Sequence, residues 1–163
     1  MVGVKALRVS QLTCITDELC EARSAEHLRQ PELSQTLATA VQIALVDLLG
    51  SWGIVPHAVV GHSSGEIAGA YCAGHISKEN AIKVAFYRGR VSSQAARNAE
   101  ISQGMLAVGL GPDAAAKYLS DLKQPVTIAC YNSPSSITLS GPVDDLVAVE
   151  GRVRANGHFA RIL

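Results

Sequence analysis

The sequence has no excess of charge of either sign, and this absence already excludes several classes of partner. Fourteen lysines and arginines balance fourteen aspartates and glutamates, so the formal net charge of the 163 residues is zero. Only 4% of the residues are aromatic, and no basic run or aromatic-interleaved patch indicates contact with a phosphate backbone. Nucleic acid is therefore not an expected partner.

Cysteine is scarce, and its spacing indicates neither a metal centre nor a disulfide framework. The four cysteines form no C-x-x-C pair and no Cys/His cluster with zinc-ligand spacing. The N-terminus lacks the apolar core and cleavage site of a signal peptide, and we expect no stretch of about 18 apolar residues that would span a membrane. These features predict a cytoplasmic protein with reduced thiols, no bound metal and no membrane contact.

Apolar residues are plentiful, at 48% of the chain, which is typical of a globular protein with a sizeable core. After a weak helical pattern around residues 17–29, apolar residues recur at helical spacing from Ser34, a candidate N-cap, to Gly50. The apolar run Ala58 to Val60 has the continuous character of a strand buried on both faces. A tight turn follows, then a small-residue helix that we expect Gly74 to cap.

The second part of the chain has a shorter rhythm. Ser77 is expected to cap a helix running to about Asn98, and the polar residues 94–103 look like a linker. Beyond them the pattern predicts the order βαββαβ, which is typical of a ferredoxin-like subdomain. The predicted elements are Met105–Leu110, Asp113–Leu122, Val126–Tyr131, Ser136–Ser140, Val143–Asn156 and a strand beginning near Phe159. We therefore expect an α/β protein with two subdomains, residues 1–103 and 104–163, in which residues 1–12 are unassigned.

The stretch Gly61-His62-Ser63-Ser64-Gly65 matches Gly-x-Ser-x-Gly with Ser63 at its centre. It lies between a predicted strand and a predicted helix, as a nucleophile elbow requires, and side chains at the two glycine positions would collide with neighbouring backbone. Ser63 is thus the candidate nucleophile, and the Ser64 amide is a candidate oxyanion donor. His62 is expected to orient the loop, and the other histidines are expected to be solvated or capping residues rather than bases.

Arg88 lies on the apolar face of its predicted helix, beside Ala81, Val84 and Ala85. A guanidinium there needs an anionic partner, and its planar fork suits a carboxylate held by two hydrogen bonds. Two interpretations stand equally at this point. Arg88 is either a clamp for a ligand carboxylate or half of a structural ion pair with an acidic side chain such as Glu66.

Residues 31–89, with GHSSGE and an arginine 25 positions after its first serine (88 minus 63), closely resemble a known family. It is the malonyl-CoA:acyl-carrier-protein acyltransferase domain of fungal reducing-type polyketide synthases, and the likeness continues through GMLAVGL and YNSPSSITLSGP to the last residue. The resemblance implies a partial α/β-hydrolase-like subdomain with an inserted ferredoxin-like subdomain. It further implies that Ser63 takes a malonyl group from coenzyme A and passes it to the phosphopantetheine thiol of a carrier protein, without a bound cofactor. By the same resemblance, Ser64 supplies an oxyanion amide, Arg88 binds the malonyl carboxylate, and His62 and Asn132 lie beside the substrate.

Two motifs of that family do not occur in the sequence: the Tyr-His-Ser type motif with the catalytic histidine, which His158 does not match, and the N-terminal Gly-Gln-Gly motif. We therefore expect a domain truncated at both ends, a piece of a larger synthase with neighbouring domains, with little activity on its own. Two alternatives remain open. One is an esterase-like serine hydrolase that uses Asp144 or Asp145 with His158, and the other is a non-catalytic docking fragment.

Overall fold

The computed structural model describes residues 14–163, and the chain divides into two compact units, Met1–Arg97 and Asn98–Leu163. Residues 1–12, to which the sequence assigned no structure, lie outside the described residues. The described part of unit 1 is helical, and unit 2 combines two helices with a small antiparallel sheet, so the chain is of mixed α/β class. The helices of unit 1 are α1 (Ile15–Cys20), α2 (Ala25–Leu28), α3 (Pro31–Ser51), α4 (Gly65–Cys72) and α5 (Lys78–Asn98).

The weak pattern at residues 17–29 gives two short helices instead of one. Residues 22–24 are not helical, and the Ser24 hydroxyl accepts a hydrogen bond of 3.1 Å from the His27 amide. A serine in this position caps a new helix and so ends continuity with the one before it. Helices α1 and α2 are therefore separate.

The N-cap of α3 is Gln30, four residues before the predicted cap Ser34. Pro31 occupies the first turn, where its missing N–H costs nothing and its fixed φ suits the helix. Ser34 therefore lies inside α3, and the prediction that it caps the helix is wrong. By length and composition α3 could cross a membrane, a test that core helices of soluble proteins also pass. The expectation that no stretch of the chain would be long and apolar enough to span a membrane is wrong for α3. Its buried positions are Leu33, Thr36, Leu37, Thr39 and Ile43.

The core of unit 1 joins α3, α4 and α5. Its buried apolar residues are Ile43, Ile67, Ala81, Ile82 and Ala85. At the edge of this cluster, Asp47 of α3 accepts a hydrogen bond of 2.5 Å from the hydroxyl of Tyr71 on α4 and pairs with Lys78 at the start of α5. The three helices thus share apolar packing and, at Asp47, a polar junction to which each of them contributes a side chain.

The ends of α4 and α5 follow the sequence prediction. Gly74 adopts φ +77°, its amide donates to Tyr71 O at 2.9 Å and the next amide donates to Ala70 O, which closes α4 as predicted. The Ser77 hydroxyl accepts from the Asn80 amide at 3.2 Å, so Ser77 caps α5 as predicted. Helix α5 extends to Asn98 and includes half of the predicted linker, which leaves only residues 99–102 between the last helix of unit 1 and the first strand of unit 2.

The predicted buried strand at Ala58 to Val60 is not formed. This segment has no regular secondary structure, and the Val60 side chain is 96% exposed. A strand is stabilised by hydrogen bonds to a neighbouring strand, and the described residues of unit 1 provide none. The run is apolar as predicted, but none of the described residues covers Val60.

Unit 2 has the predicted element order βαββαβ. Its four strands form a sheet in the order β2-β3-β1-β4 with every neighbouring pair antiparallel. Helix α6 is much shorter than predicted, and α7 ends one residue before its predicted end. The elements are β1 (Gln103–Val108), α6 (Pro112–Ala116), β2 (Thr127–Ser133), β3 (Ser136–Pro142), α7 (Val143–Ala155) and β4 (Ala160–Ile162).

The core of unit 2 lies between the sheet and α7. The inward residues of β1 and β3 alternate along each strand, and those of α7 recur at spacings of three and four. Each is at most 1% exposed. These residues are Leu106, Val108, Ile137, Leu139, Leu146, Val149 and Val153.

Candidate active site around Ser63

Ser63 lies on the turn that leads into α4 and adopts φ +55°, a left-handed conformation that a serine rarely takes. Such a conformation costs about 1 to 3 kcal/mol and is found preferentially at functional sites. The Ser63 side chain is exposed. The turn and the helix of the predicted elbow are therefore present and place the Ser63 hydroxyl in contact with solvent, although the segment before the turn is not a strand.

The two glycines of the motif have different steric roles. A Cβ at Gly61 would lie 2.5 Å from Glu66 N and 2.8 Å from Gly65 C, so no side chain fits there without movement of the α4 backbone. A Cβ at Gly65 would meet only the Gln42 side-chain nitrogen, at 3.9 Å, an ordinary contact. The prediction that both positions exclude a side chain is thus correct for Gly61 and wrong for Gly65, because Gly65 already belongs to α4 and points away from the turn.

Ser64 is the N-cap residue of α4, with φ −63° and ψ −18°. The two amides that follow it donate within the turn, from Gly65 to His62 O at 2.9 Å and from Glu66 to Ser63 O at 3.2 Å. Within residues 14–163 the Ser64 amide itself donates to no protein acceptor. A free amide at the positive end of a helix, next to Ser63, can donate to a developing oxyanion.

Among residues 14–163, no histidine forms a hydrogen bond with Ser63. His62 is exposed, and His27 bonds instead to Glu18, at 2.9 Å. His75, one of the histidines expected to be solvated or capping residues, lines a cavity of about 290 Å³ together with Gly61 and Glu66. No sequence motif indicates this cavity, since it depends on where α4 ends. The described residues therefore provide a candidate nucleophile and a candidate amide donor, and among them no base contacts Ser63.

Arg88 is exposed on α5, so the prediction that it lies within the buried face of this helix is wrong. The buried face runs through Ala81, Ala85 and Gly89, and Val84 is 46% exposed, which leaves Arg88 at the edge of the packed surface. Its Nη1–H donates to Gln35 Oε1 at 2.5 Å. Among the described residues no acidic side chain pairs with Arg88, so the structural ion pair with Glu66 is not formed.

The contact between α3 and α5 beside Arg88 depends on Gly89. A Cβ at Gly89 would lie 2.5 Å from Glu32 N, so only glycine allows this approach of the two backbones. One turn further along α5 the Ser93 hydroxyl donates to the Glu32 carboxylate. The pKa of Glu32 lies below its ordinary value, although the side chain is partly buried. The causes are the hydrogen bond from Ser93, the backbone amide of Glu32 and the nearby Arg97 and Arg90.

The remaining candidates belong to unit 2. Asn132 is exposed on β2, and its Nδ2 donates to Thr138 Oγ1 at 3.0 Å. Asp145 is buried and accepts a hydrogen bond of 3.1 Å from the Lys123 amide. Within unit 2 neither Asp144 nor Asp145 forms a hydrogen bond with His158, so the carboxylate–histidine pair of the hydrolase alternative is not assembled. No group of three or more His, Cys, Asp or Glu side chains in the described part of the chain could hold a metal ion.

The comparisons with known proteins agree on one family. Residues 6–162 match the acyl transferase domain family. A highly reducing polyketide synthase from Eupenicillium brefeldianum is 55% identical over 150 residues, which cover 90% of this chain and 6% of that synthase. The chain therefore spans a small part of its synthase relatives.

Two solved structures extend the likeness to three dimensions. The acyltransferase domain of phenolphthiocerol/phthiocerol synthase A from Mycobacterium bovis (BCG) is 30% identical with a TM-score of 0.72, over 87% of this chain and 52% of that one. A malonyl CoA-acyl carrier protein transacylase from Clostridium perfringens is 27% identical with a TM-score of 0.76, over 90% and 47%. The chain spans about half of each of these structures.

Proposed function

The chain belongs to the acyl transferase domain family, and from this premise we propose that it is the serine-bearing part of a domain that moves a malonyl group from malonyl-CoA to an acyl carrier protein. The observation that carries the proposal is the left-handed Ser63 on the turn into α4, next to the free amide of Ser64. Malonyl as the acyl group is supported by the exposed guanidinium of Arg88, which has no acidic partner among the described residues. It is also supported by the likeness to a malonyl CoA-acyl carrier protein transacylase.

In the proposed reaction, Ser63 Oγ attacks the thioester carbonyl of malonyl-CoA, and the oxyanion that forms accepts a hydrogen bond from the Ser64 amide. The C–S bond then breaks, the serine proton passes to the departing coenzyme A thiolate, and a malonyl-serine ester remains. The phosphopantetheine thiol of the carrier protein attacks this ester and releases Ser63 with its proton restored. Both half-reactions use the same groups, which gives a ping-pong sequence without a bound cofactor.

Arg88 has the role of carboxylate ligand in this proposal. Its fork of N–H donors suits two parallel hydrogen bonds to the malonyl carboxylate. His62 and Asn132 are proposed to lie beside the substrate. The proton transfers require a base, and the described residues place none against Ser63, so we expect the chain by itself to turn over slowly or not at all.

The proposal extends to architecture and surroundings. The antiparallel order β2-β3-β1-β4 with the element sequence βαββαβ supports a ferredoxin-like subdomain within residues 104–163. Residues 1–103 then form a part of an α/β-hydrolase-like subdomain. The synthase relatives support neighbouring synthase domains as partners. The location proposed with them is the cytoplasm, without membrane contact. The serine hydrolase alternative is not proposed, because Asp145 is bound to the Lys123 amide and, among the described residues, neither Asp144 nor Asp145 forms a hydrogen bond with His158.

The test is acylation of the purified chain by malonyl-CoA in the presence of imidazole, which supplies an external base. Tandem mass spectrometry locates the malonyl group, and Ser63→Ala and Ser64→Ala form the matched pair. We expect imidazole-dependent malonylation at residue 63, lost in Ser63→Ala and kept in Ser64→Ala, since the latter retains its backbone amide. Equal acylation of Ser63→Ala would contradict the assignment of the nucleophile. Rapid malonyl transfer to a carrier protein without imidazole would contradict the expected inactivity.

A further inference from the structure

We propose that a cavity between α1, α3 and α5 is a binding site for a short, neutral acyl chain, and that Cys14 at its mouth takes up this acyl group from coenzyme A as a thioester. The cavity has a volume of about 180 Å³ and lies within unit 1. Cys14 lines it and is half-buried, so its thiol can be reached from solvent. The inference goes beyond the proposed function, because it uses neither Ser63 nor Arg88.

The cavity exists because small residues of α3 face α1. Ala40, Ile43, Ala44 and Asp47 recur at spacings of three and four, which places them on one face of α3. The two alanines are too short to reach α1, and the space between the helices stays unfilled. The apolar residues that line it come from all three helices. They are Ile15, Leu19, Ala40, Ile43, Ala44 and Ile82.

The size and lining of the cavity favour an apolar ligand over water. Water enters a cavity when it finds two to four polar partners, and an apolar cavity of about 150 Å³ stays dry and binds a ligand the size of benzene. Ile43 and Ile82, which form part of the wall, are each 3% exposed and belong to the core of unit 1. The wall is therefore preformed, and a short alkyl chain can fill the space without displacing core side chains.

The charges at the rim of the cavity exclude an anionic acyl group. Asp47 accepts hydrogen bonds from the Tyr71 hydroxyl and from the Lys78 ammonium, so its charge is compensated. Among the described residues that line the cavity, no other aspartate, glutamate, lysine or arginine is present. A buried carboxylate would find no unpaired cation there and would lose its hydration. The chain that fits is thus neutral, in contrast to the malonyl group proposed for Ser63.

Cys14 is the nucleophile that the cavity offers. Its Sγ lies 2.9 Å from Thr16 Oγ1. The hydrogen bonds from the hydroxyl and the backbone amide of Thr16 stabilise the thiolate and hold the pKa of Cys14 below its ordinary value. The thiolate is the reactive form of cysteine, so this thiol reacts at a lower pH than an unassisted one.

The proposed step is an exchange between two thioesters. The Cys14 thiolate attacks the thioester carbonyl of an acyl-CoA, a bond forms between Sγ and the carbonyl carbon, and the bond to the sulfur of coenzyme A breaks. The coenzyme A thiolate leaves and takes up the proton that the Cys14 thiol has lost. One thioester replaces another, so the step needs no oxidant, reductant or further reactant.

The experiment incubates the full chain at pH 7 with hexanoyl-CoA, acetyl-CoA or malonyl-CoA, and tandem mass spectrometry locates the acyl group. Cys14→Ser removes the thiol, and Cys20→Ser is its matched control at the exposed end of α1. Ala44→Phe fills the cavity, and Ala38→Phe makes the same change at an exposed position of α3 that does not line it. Iodoacetamide, a small reagent, measures the reactivity of the Cys14 thiol independently of the cavity. Far-UV circular dichroism reports whether each variant is folded.

We expect hexanoyl-CoA to acylate Cys14 about tenfold faster than acetyl-CoA, because the longer chain is buried in the cavity. Malonyl-CoA should leave Cys14 unmodified. Ala44→Phe should remove the advantage of hexanoyl-CoA and keep the rate with iodoacetamide, while Ala38→Phe and Cys20→Ser should behave like wild type. Thr16→Val should slow all reactions of Cys14 equally at pH 7 and move their pH dependence upward.

The proposal is overturned if hexanoyl-CoA and acetyl-CoA react with Cys14 at the same rate, or if neither reacts. It is also overturned if Ala44→Phe and Ala38→Phe retain the same preference for hexanoyl-CoA, since the cavity would then have no part in it. Ser63→Ala should acylate at Cys14 as wild type does. Loss of Cys14 acylation in wild type leaves malonylation at Ser63 unaffected, so failure of this inference is distinguishable from failure of the proposed function.

Discussion

The apolar residues of the two units differ in how far they are buried. In unit 2 every strand pairs with another strand of the same unit, and the seven core side chains of β1, β3 and α7 are at most 1% exposed. In the described part of unit 1, the outer face of α3 and the segment after it expose large apolar side chains. Leu45 is 51% exposed, Val55 82% and Val60 96%. The candidate nucleophile follows directly after this exposed segment.

The difference shows that apolar content alone does not decide burial. Both units contain runs of valine, isoleucine and leucine, but an extended apolar run is buried only if another strand supplies hydrogen bonds and a second surface supplies packing. Unit 2 provides both within about 65 residues of sequence, as its bounds show (98 to 163). Among the described residues of unit 1, helices supply packing to α3 on one side and the segment 54–60 has no strand partner.

The largest expected effect tests this contrast in the two helices α7 and α3. Leu146→Ala removes a fully buried side chain from the core of unit 2 and should lower the free energy of unfolding by about 2 to 5 kcal/mol. Leu45→Ala, on the outer face of α3, should change it by about 0.5 kcal/mol or less. Urea unfolding followed by far-UV circular dichroism measures both, and fluorescence of Trp52, the one tryptophan, reports unit 1 separately. A comparable loss in both variants would mean that the outer face of α3 is covered in solution.

The same contrast explains which parts of the fold could be predicted from the sequence. Local signals predict the order of the elements in unit 2 and, except for the end of α6, their approximate bounds. They also predict the Ser77 cap and the Gly74 terminus, because the partners of these residues lie within a few positions. The strand at Ala58 to Val60 was predicted from composition, which cannot show whether a pairing strand is present. The start of α3 was misplaced because Ser34 and Pro31 are both starting signals, and the earlier one applies.

A smaller effect is expected at the glycines of the Ser63 turn. Gly61→Ala places a Cβ against the backbone of α4 and should lower the stability of unit 1 by about 1 to 3 kcal/mol, since the turn must shift. Gly65→Ala is the matched control, because its Cβ meets nothing closer than 3.9 Å and alanine favours the helix by up to about 1 kcal/mol. The midpoint of urea unfolding by Trp52 fluorescence measures both. Equal destabilisation by the two variants would show that the crowding at Gly61 is not specific to the turn.

As with the fold, the sequence predicts one part of the candidate site and not the other. The turn from Gly61 to Gly65 is contiguous in sequence, and its spacing predicts which serine lies at the turn. The spacing does not distinguish the crowded Gly61 from the uncrowded Gly65. The environment of Arg88 is not contiguous. Its partner Gln35 lies on another helix, and helical periodicity placed Arg88 in the buried face because it cannot show where a second helix makes contact. Nothing in the sequence around Gln35 distinguishes it from other polar residues of α3.

The smallest effect is expected for a valine that the sequence predicts to be buried. Val60→Thr replaces one methyl group by a hydroxyl at a side chain that is 96% exposed, so it should change stability by about 0.5 kcal/mol or less. Val108→Thr makes the same change in β1, where the side chain is 1% exposed, and should cost about 1 to 3 kcal/mol because the hydroxyl is buried without a partner. Val60→Thr should also reduce concentration-dependent self-association in size-exclusion chromatography, because it interrupts an exposed apolar segment. If the two valines respond equally, Val60 is buried in solution as the sequence predicts, by a surface outside the described residues of this chain.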